Sequence, residues 1–175
     1  MKYLLLLMIP LITCANVSAQ KKLKIDILRE SGDTIWSTSV QKIYNQPGGP
    51  KAVGDYLKTT LHRTKAGYSL ELEIQTGRTN TFTISRGSAV DIELSDGSTV
   101  TLQSNSDNSS RISRLNYGCY IFAYYRIRTA EMKQLVAAPL KMIRVQASIG
   151  NMDYPIKEKF AGTLQEQVER ISREE

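Results

Sequence analysis

YGCYIFAYYRI, residues 117–127, is the densest run of aromatic and aliphatic side chains outside the N-terminus. Read with period two, Ile121, Ala123, Tyr125 and Ile127 point one way and Tyr120, Phe122, Tyr124 and Arg126 the other. A strand apolar on both faces is expected at the centre of a sheet, covered on both sides. The sequence after it reads as helix, strand, strand, helix, so this strand is expected to carry the packed half of the molecule. Thr129 is placed to cap a helix over 130–138, which Pro139 ends. Lys141 to Ile149 alternates through Ile143, Val145 and Ala147, and Gly150-Asn151 is read as the turn into a short strand from Met152. Pro155 assigns that strand to an edge. Phe160, Leu164, Val168 and Ile171 recur at helical spacing and predict a final helix over 160–173.

Upstream, alternation also dominates. Lys21–Leu28 and Thr34–Tyr44 read as strands, separated by Glu30-Ser31-Gly32-Asp33. Residues 53–61 fit helix or strand, and register decides for strand. A loop at Thr64–Gly67 sets Leu61 opposite Leu70 and Leu57 opposite Ile74, so the apolar residues of both strands share one face. The same argument at Ser95-Asp96-Gly97 predicts a three-residue loop with a bulge at Gly97. Ile92 then meets Val100, and Val90 meets Leu102. With Phe82 and Ile84 on a strand between the two hairpins, a meander is expected from about Tyr56 to Gln103. Its outward face alternates acidic strands (Glu71, Glu73; Asp91, Glu93) with hydroxyl-rich ones. Ser104–Ser113, SNSDNSSRIS, reads as a mobile polar loop that ends it.

MKYLLLLMIPLITCANVSAQ carries one lysine, an apolar run and Val17-Ser18-Ala19, the plan of a cleaved export signal. Residues 1–19 are assigned to it and residues 20–175 to a single domain, periplasmic or secreted. Leu11-Ile12-Thr13-Cys14 resembles a bacterial lipobox, whose cysteine would be lipidated; that is the one route by which a membrane association is expected. Cleavage after Ala19 removes Lys2 and lowers the formal charge from +6 to +5, a mild excess that gives no reason to expect nucleic acid. It leaves Cys119 as the one cysteine, unable to form an internal disulfide and expected to be buried and inert.

The catalytic inventory is short. His62 is the one histidine, and with one cysteine downstream of the leader a conventional zinc site is nearly excluded. No metal, cofactor or catalytic residue is assigned. His62 faces away from the leucines of its strand and is expected at the solvent. A Ser-His-Asp arrangement would have to use it, and no Gly-x-Ser-x-Gly elbow occurs. Recognition is the more concrete expectation. Tyr120, Phe122, Tyr124 and Arg126 share one strand face, and Arg144 is expected beside them on the next strand. Aromatics interleaved with cations stack on sugars or peptides and hold anionic groups. The competing reading buries that face against the N-terminal sheet, since a large exposed aromatic patch is unusual on a monomer.

The leader ending Val17-Ser18-Ala19-Gln20 and the ending YYRIRTAEMKQL…LKMIRV…DYPIKEKFAGTLQEQVERI are similar to small uncharacterised exported proteins of anaerobic Gram-negative bacteria. The resemblance covers about a third of the chain and implies no activity. Strands first and helices last independently predict an α+β fold. The expected architecture is a mostly antiparallel twisted sheet, one meander or two packed sheets, closed by two C-terminal helices. The expected role is a non-catalytic envelope protein with a protein or glycan partner. The alternative is a hydrolase, or an inhibitor of one, using carboxylates whose positions the sequence does not fix.

Overall fold

In the computed structural model, residues 23–27, 32–49, 53–113 and 118–173 are described. The segment 1–19 read as an export signal, with Cys14 and Ala19, lies outside them. The architecture is mostly antiparallel sheet, with two helices in the C-terminal part of the chain.

Leucine register builds the first hairpin. Strands β4 (Asp55–Thr64) and β5 (Gly67–Thr76) pair with Leu61 opposite Leu70 and Leu57 opposite Ile74, as the shared apolar face requires. The turn is tighter than expected: Thr64 already pairs with Gly67, whose φ of 124° lies in the region that favours glycine. In the second hairpin, β7 (Ala89–Leu94) and β8 (Thr99–Gln103) set Ile92 against Val100 and Val90 against Leu102. Its loop is the expected three residues. The Leu94 N–H donates to the Ser98 carbonyl at 2.9 Å, and Gly97 has φ 86°.

These hairpins do not form one meander. The first lies in a seven-stranded sheet, where β4 and β5 are followed by β11 (Cys119–Ile127) and β10 (Arg111–Ile112). The outer edge of β4 is shared by β2 (Thr34–Ser37), which pairs with β1 (Lys24–Ile27), and by β3 (Gln41–Gln46). The second hairpin lies in a four-stranded sheet with β12 (Leu140–Ala147) and β13 (Gly150–Pro155). The expected strand around Phe82 is the two-residue β6 (Thr83–Ile84), paired with β9 (Asn108–Ser109). Sequence alternation is local, and it says which face a residue takes but not which sheet a strand joins.

β13 forms an edge, as Pro155 requires. Its turn is Ser148-Ile149, two residues before the expected Gly150-Asn151, because Ala147 pairs with Gly150. Helix α1 (Thr129–Leu135) is capped at Arg128 rather than Thr129. The Arg128 N–H donates to Glu131 Oε2 at 2.8 Å, and its guanidinium holds the same carboxylate. α2 (Thr163–Ser172) starts later than expected, after one 3-10 turn at Glu158–Phe160.

Inward side chains of both larger sheets belong to one hydrophobic cluster. It includes Leu57, Leu72 and Ile121 from the first, Ile92 and Val145 from the second, and Leu164, Val168 and Ile171 from α2. The end of β8 reaches β11 directly: Ser104 pairs with Tyr125, and the Asn105 N–H donates to the Tyr124 carbonyl at 3.0 Å. Cys119 is buried, as expected.

One polar knot sits inside this apolar setting. Gln167 of α2 is 2% exposed. Its Oε1 accepts from Thr59 Oγ1 at 2.8 Å, and its Nε2 lies 3.0–3.1 Å from the Thr59 carbonyl, Thr38 Oγ1 and the Ser39 carbonyl. Thr38 Oγ1 also accepts from the Leu61 N–H at 3.0 Å. The chain leaves the ladder at 38–40 to make these bonds, so the expected single strand over 34–44 is two strands. A Gln167→Leu substitution strands several buried partners and should destabilise the protein by roughly 2–4 kcal/mol in urea unfolding. Adding Thr59→Val should recover part of that loss, because it removes an orphaned hydroxyl; strict additivity would show that the bond is not made.

Tyr125 is the counter-case. Its ring is buried on the inward face of β11, and burial pushes its hydroxyl pKa up. Among the described residues, that hydroxyl is the one buried side-chain polar atom without a hydrogen-bond partner. Tyr125→Phe should therefore leave stability unchanged or raise it by about 1 kcal/mol in the same assay. A loss above ~1 kcal/mol would reveal a hidden partner.

Candidate functional site

Among the described residues, β11 is covered on one face only. Ile121, Ala123, Tyr125 and Ile127 are buried, while Phe122 is 41% exposed, Arg126 is exposed and Tyr120 and Tyr124 are half-buried. The expectation of cover on both sides, with the tyrosines as core, is corrected. Directly opposite residues of antiparallel strands share a face, so this outer face reads row by row. Tyr56, Gln75, Tyr120 and Arg111 form one row, and Lys58, Glu73 and Phe122 the next. Thr60, Glu71 and Tyr124 follow, then His62, Ser69 and Arg126.

Arg144 does not join them. It lies on β12 in the four-stranded sheet, bidentate to Asp153 at 2.7 and 2.9 Å, with Asp91 opposite on β7. The sequence placed β12 beside β11 because they follow one another in the chain, whereas β12 pairs with β7 and β13. The acidic face is likewise divided. Glu71 and Glu73 face the aromatic strand; Asp91 accepts from Thr101 Oγ1 at 2.7 Å and Glu93 from Lys141 Nζ at 2.5 Å.

What stands beside the aromatic strand is the segment read as a mobile loop. β10 takes Cys119 and Tyr120 as partners, and Ser104 and Asn105 hold Tyr125 and Tyr124. Between these pins the chain swings out to pair with β6. Hydrogen bonds fix the excursion. Ser110 Oγ accepts from the Phe82 N–H at 2.7 Å, the Ser110 N–H donates to the Phe82 carbonyl at 2.8 Å, and Asp107 Oδ1 accepts from the Arg86 N–H at 2.9 Å. Serines and asparagine serve here as hydrogen-bonding braces, which composition alone reads as loop.

The excursion leaves a groove of about 400 Å³ between the wall 107–111 and the outer face of β11. Tyr120, Phe122 and Tyr124 line one side; Asp107, Asn108, Ser109 and Arg111 line the other. Ile121 lines it too, and since its side chain is buried it contributes main chain. The carbonyls of Gly118 and Tyr124 point to this edge, accepting from the Ser113 and Asn105 N–H groups at 2.7 and 3.0 Å. Strand alternation aims the N–H and C=O of Phe122 the same way. No strand pairs with Phe122 on that edge among the described residues. The sequence reading missed the wall residues. Their signal was position: a polar run one short connection away from the aromatic strand is placed to run back along it.

The polar half of the outer face is internally engaged. Tyr56 and Lys58 both donate to Glu73 Oε1 at 2.7 Å, and burial, then Glu73, push the Tyr56 hydroxyl pKa up. Burial, then Glu71, does the same for Tyr124. His62 is not a free surface histidine: its Nδ1 lies 2.8 Å from Ser37 Oγ and its Nε2 3.0 Å from Glu71 Oε2. The order Ser–His–Glu has the composition of a hydrolytic relay. Ser37, however, is 6% exposed and sits in β2, paired through the ladder with His62 itself. Nearly buried and held on both sides, the three groups link β2, β4 and β5 as a polar brace.

Among the described residues no group of three or more His, Cys, Asp or Glu is placed to hold a metal ion, and no helix is long and apolar enough to cross a membrane. Comparison with protein-family models, with curated proteins and with solved structures gives no match for this chain. A fluorophosphonate probe should leave Ser37 unlabelled, and hydrolysis of p-nitrophenyl acetate should be the same for wild type and Ser37→Ala. Labelling of Ser37, read by peptide mass, would reinstate the relay as chemistry.

Proposed function

We propose that this chain is an exported, non-catalytic protein of the cell envelope that binds a partner through the β11 groove. The groove sits on a scaffold of two packed sheets closed by the two C-terminal helices. The observation that carries the reading is the exposure of Phe122 beside Tyr120, ring centroids 6.2 Å apart at 80°, in a cleft walled by polar side chains. An apolar ring at 41% exposure in a braced sheet contributes little to folding, and ligand pockets combine such rings with a few convergent polar groups. A leader in residues 1–19 supports export, and the one core fed by both sheets supports the scaffold. A glycan suits the groove better than a protein. A protein interface takes about 20–30 residues a side, whereas eight described residues line this cleft.

The test is glycan-array binding with residues 20–175. Wild type should bind a subset of glycans, and Phe122→Ala should lose that binding by about tenfold or more, equivalent to ~1.4 kcal/mol. Its unfolding free energy should stay within about 0.5 kcal/mol of wild type, as for a surface substitution. Undiminished binding by Phe122→Ala would place the recognition surface elsewhere.

A further inference from the structure

Two arginines flanking the aromatic side chains of β11 have no charged partner among the described residues. Arg111 stands directly opposite Tyr120 and Arg126 directly opposite Ser69, at the two ends of the aromatic row. Neither makes an ion pair or side-chain hydrogen bond among the described residues, whereas Lys58, Arg144 and Lys141 are each held by a carboxylate. The carboxylates of this face are committed: Glu73 to Tyr56 and Lys58, Glu71 to His62. Asp107 alone is a groove-lining carboxylate, and its Oδ1 is taken by the Arg86 N–H. It comes four residues before Arg111 along the wall.

We propose that the groove binds a carboxylate-bearing saccharide of the uronate class. This inference rests on the binding role given above to the same groove. The Arg111 guanidinium takes the sugar carboxylate through paired N–H donors, a geometry that guanidinium matches and ammonium does not. Phe122, with Tyr120 at right angles to it, receives the apolar face of the pyranose ring. The open N–H and C=O of Phe122 and the free oxygen of Asp107 meet ring hydroxyls, which both donate and accept. An extended peptide is disfavoured here. The open edge of β11 is short, because Tyr120 pairs with Arg111 on one side of Phe122 and the Tyr124 carbonyl is taken by Asn105 on the other, and strand addition needs a longer run. Arg126, about 20 Å along the strand from Tyr120 at roughly 3.4 Å per residue, is placed for the carboxylate of a later sugar in a chain.

Calorimetric titration of residues 20–175 with tetragalacturonate, maltotetraose and poly-glutamate tests this. Tetragalacturonate should bind at least about tenfold more tightly than maltotetraose. Arg111→Gln should weaken tetragalacturonate by roughly tenfold or more and weaken maltotetraose by a clearly smaller factor, and Phe122→Ala should weaken both. If maltotetraose binds equally well and Arg111→Gln has no effect, the acidic specificity is wrong while the groove as a glycan site stands. If poly-glutamate competes equally and Phe122→Ala has no effect, the site reads charge and not sugar, and the inference falls. If neither oligosaccharide binds, both this inference and a glycan role for the groove fall.

Discussion

The buried amide of Gln167 ties together pieces that hydrophobic patterning leaves independent. It joins α2 to β4 through Thr59 and to the chain crossing at Thr38–Ser39, deep among residues with almost no solvent contact. Hydrophobic burial is non-directional, so leucines alone would let α2 rotate or slide on the sheet. A fully paired amide in a low-dielectric setting holds one arrangement, because any displacement leaves polar atoms unsatisfied. With α2 seated against β4, Leu57, Leu61 and Leu70 lie in the core, while Phe122 and Arg126 of β11 stay exposed on the opposite face of the sheet.

The outer face shows how one strand comes to have two environments. β11 is bonded along one edge to β5 over its full length, but on the other edge, among the described residues, it meets partners only near its ends. The missing partner is the segment 105–110, drawn away by β6 and held by serine and asparagine side chains. Had that segment stayed in register, β11 would be an ordinary interior strand with no groove. Its departure exposes a main-chain pair and an aromatic row together, and sets Arg111 beside Tyr120. The same outer face carries the Ser37–His62–Glu71 chain, in which a sequence of groups familiar from catalysis serves to orient strands. Accessibility of the hydroxyl, not identity of the three residues, separates the two uses.

Reading the sequence succeeded where the governing interaction is local. Hairpin registers came from matching apolar faces across a turn, and Leu61 with Leu70 and Ile92 with Val100 stand where that requirement puts them. The edge position of β13 followed from a proline that has no N–H to donate. Errors arose where chain neighbours were assumed to be sheet neighbours. Arg144 was placed with Tyr120 on that assumption, and the single meander rested on it. The aromatic residues of the candidate site were legible as a strand face, but whether that face was core or surface was not, since tyrosine and phenylalanine are compatible with both. Gln167 was invisible, because a glutamine in an amphipathic helix reads as surface until its partners are in place.

What the amino-acid order determined by itself is therefore periodic: which segments are strands, which side chains share a face, and where turns reverse the chain. What only the tertiary structure decided is relational: which sheet each hairpin joins, which side of β11 meets the core, and that SNSDNSSRIS becomes a braced wall with Arg111 facing Tyr120. The division has a physical cause. Side-chain alternation is imposed by the geometry of each residue on its neighbours, whereas strand partners and groove walls are selected by the packing and hydrogen-bond satisfaction of the whole chain.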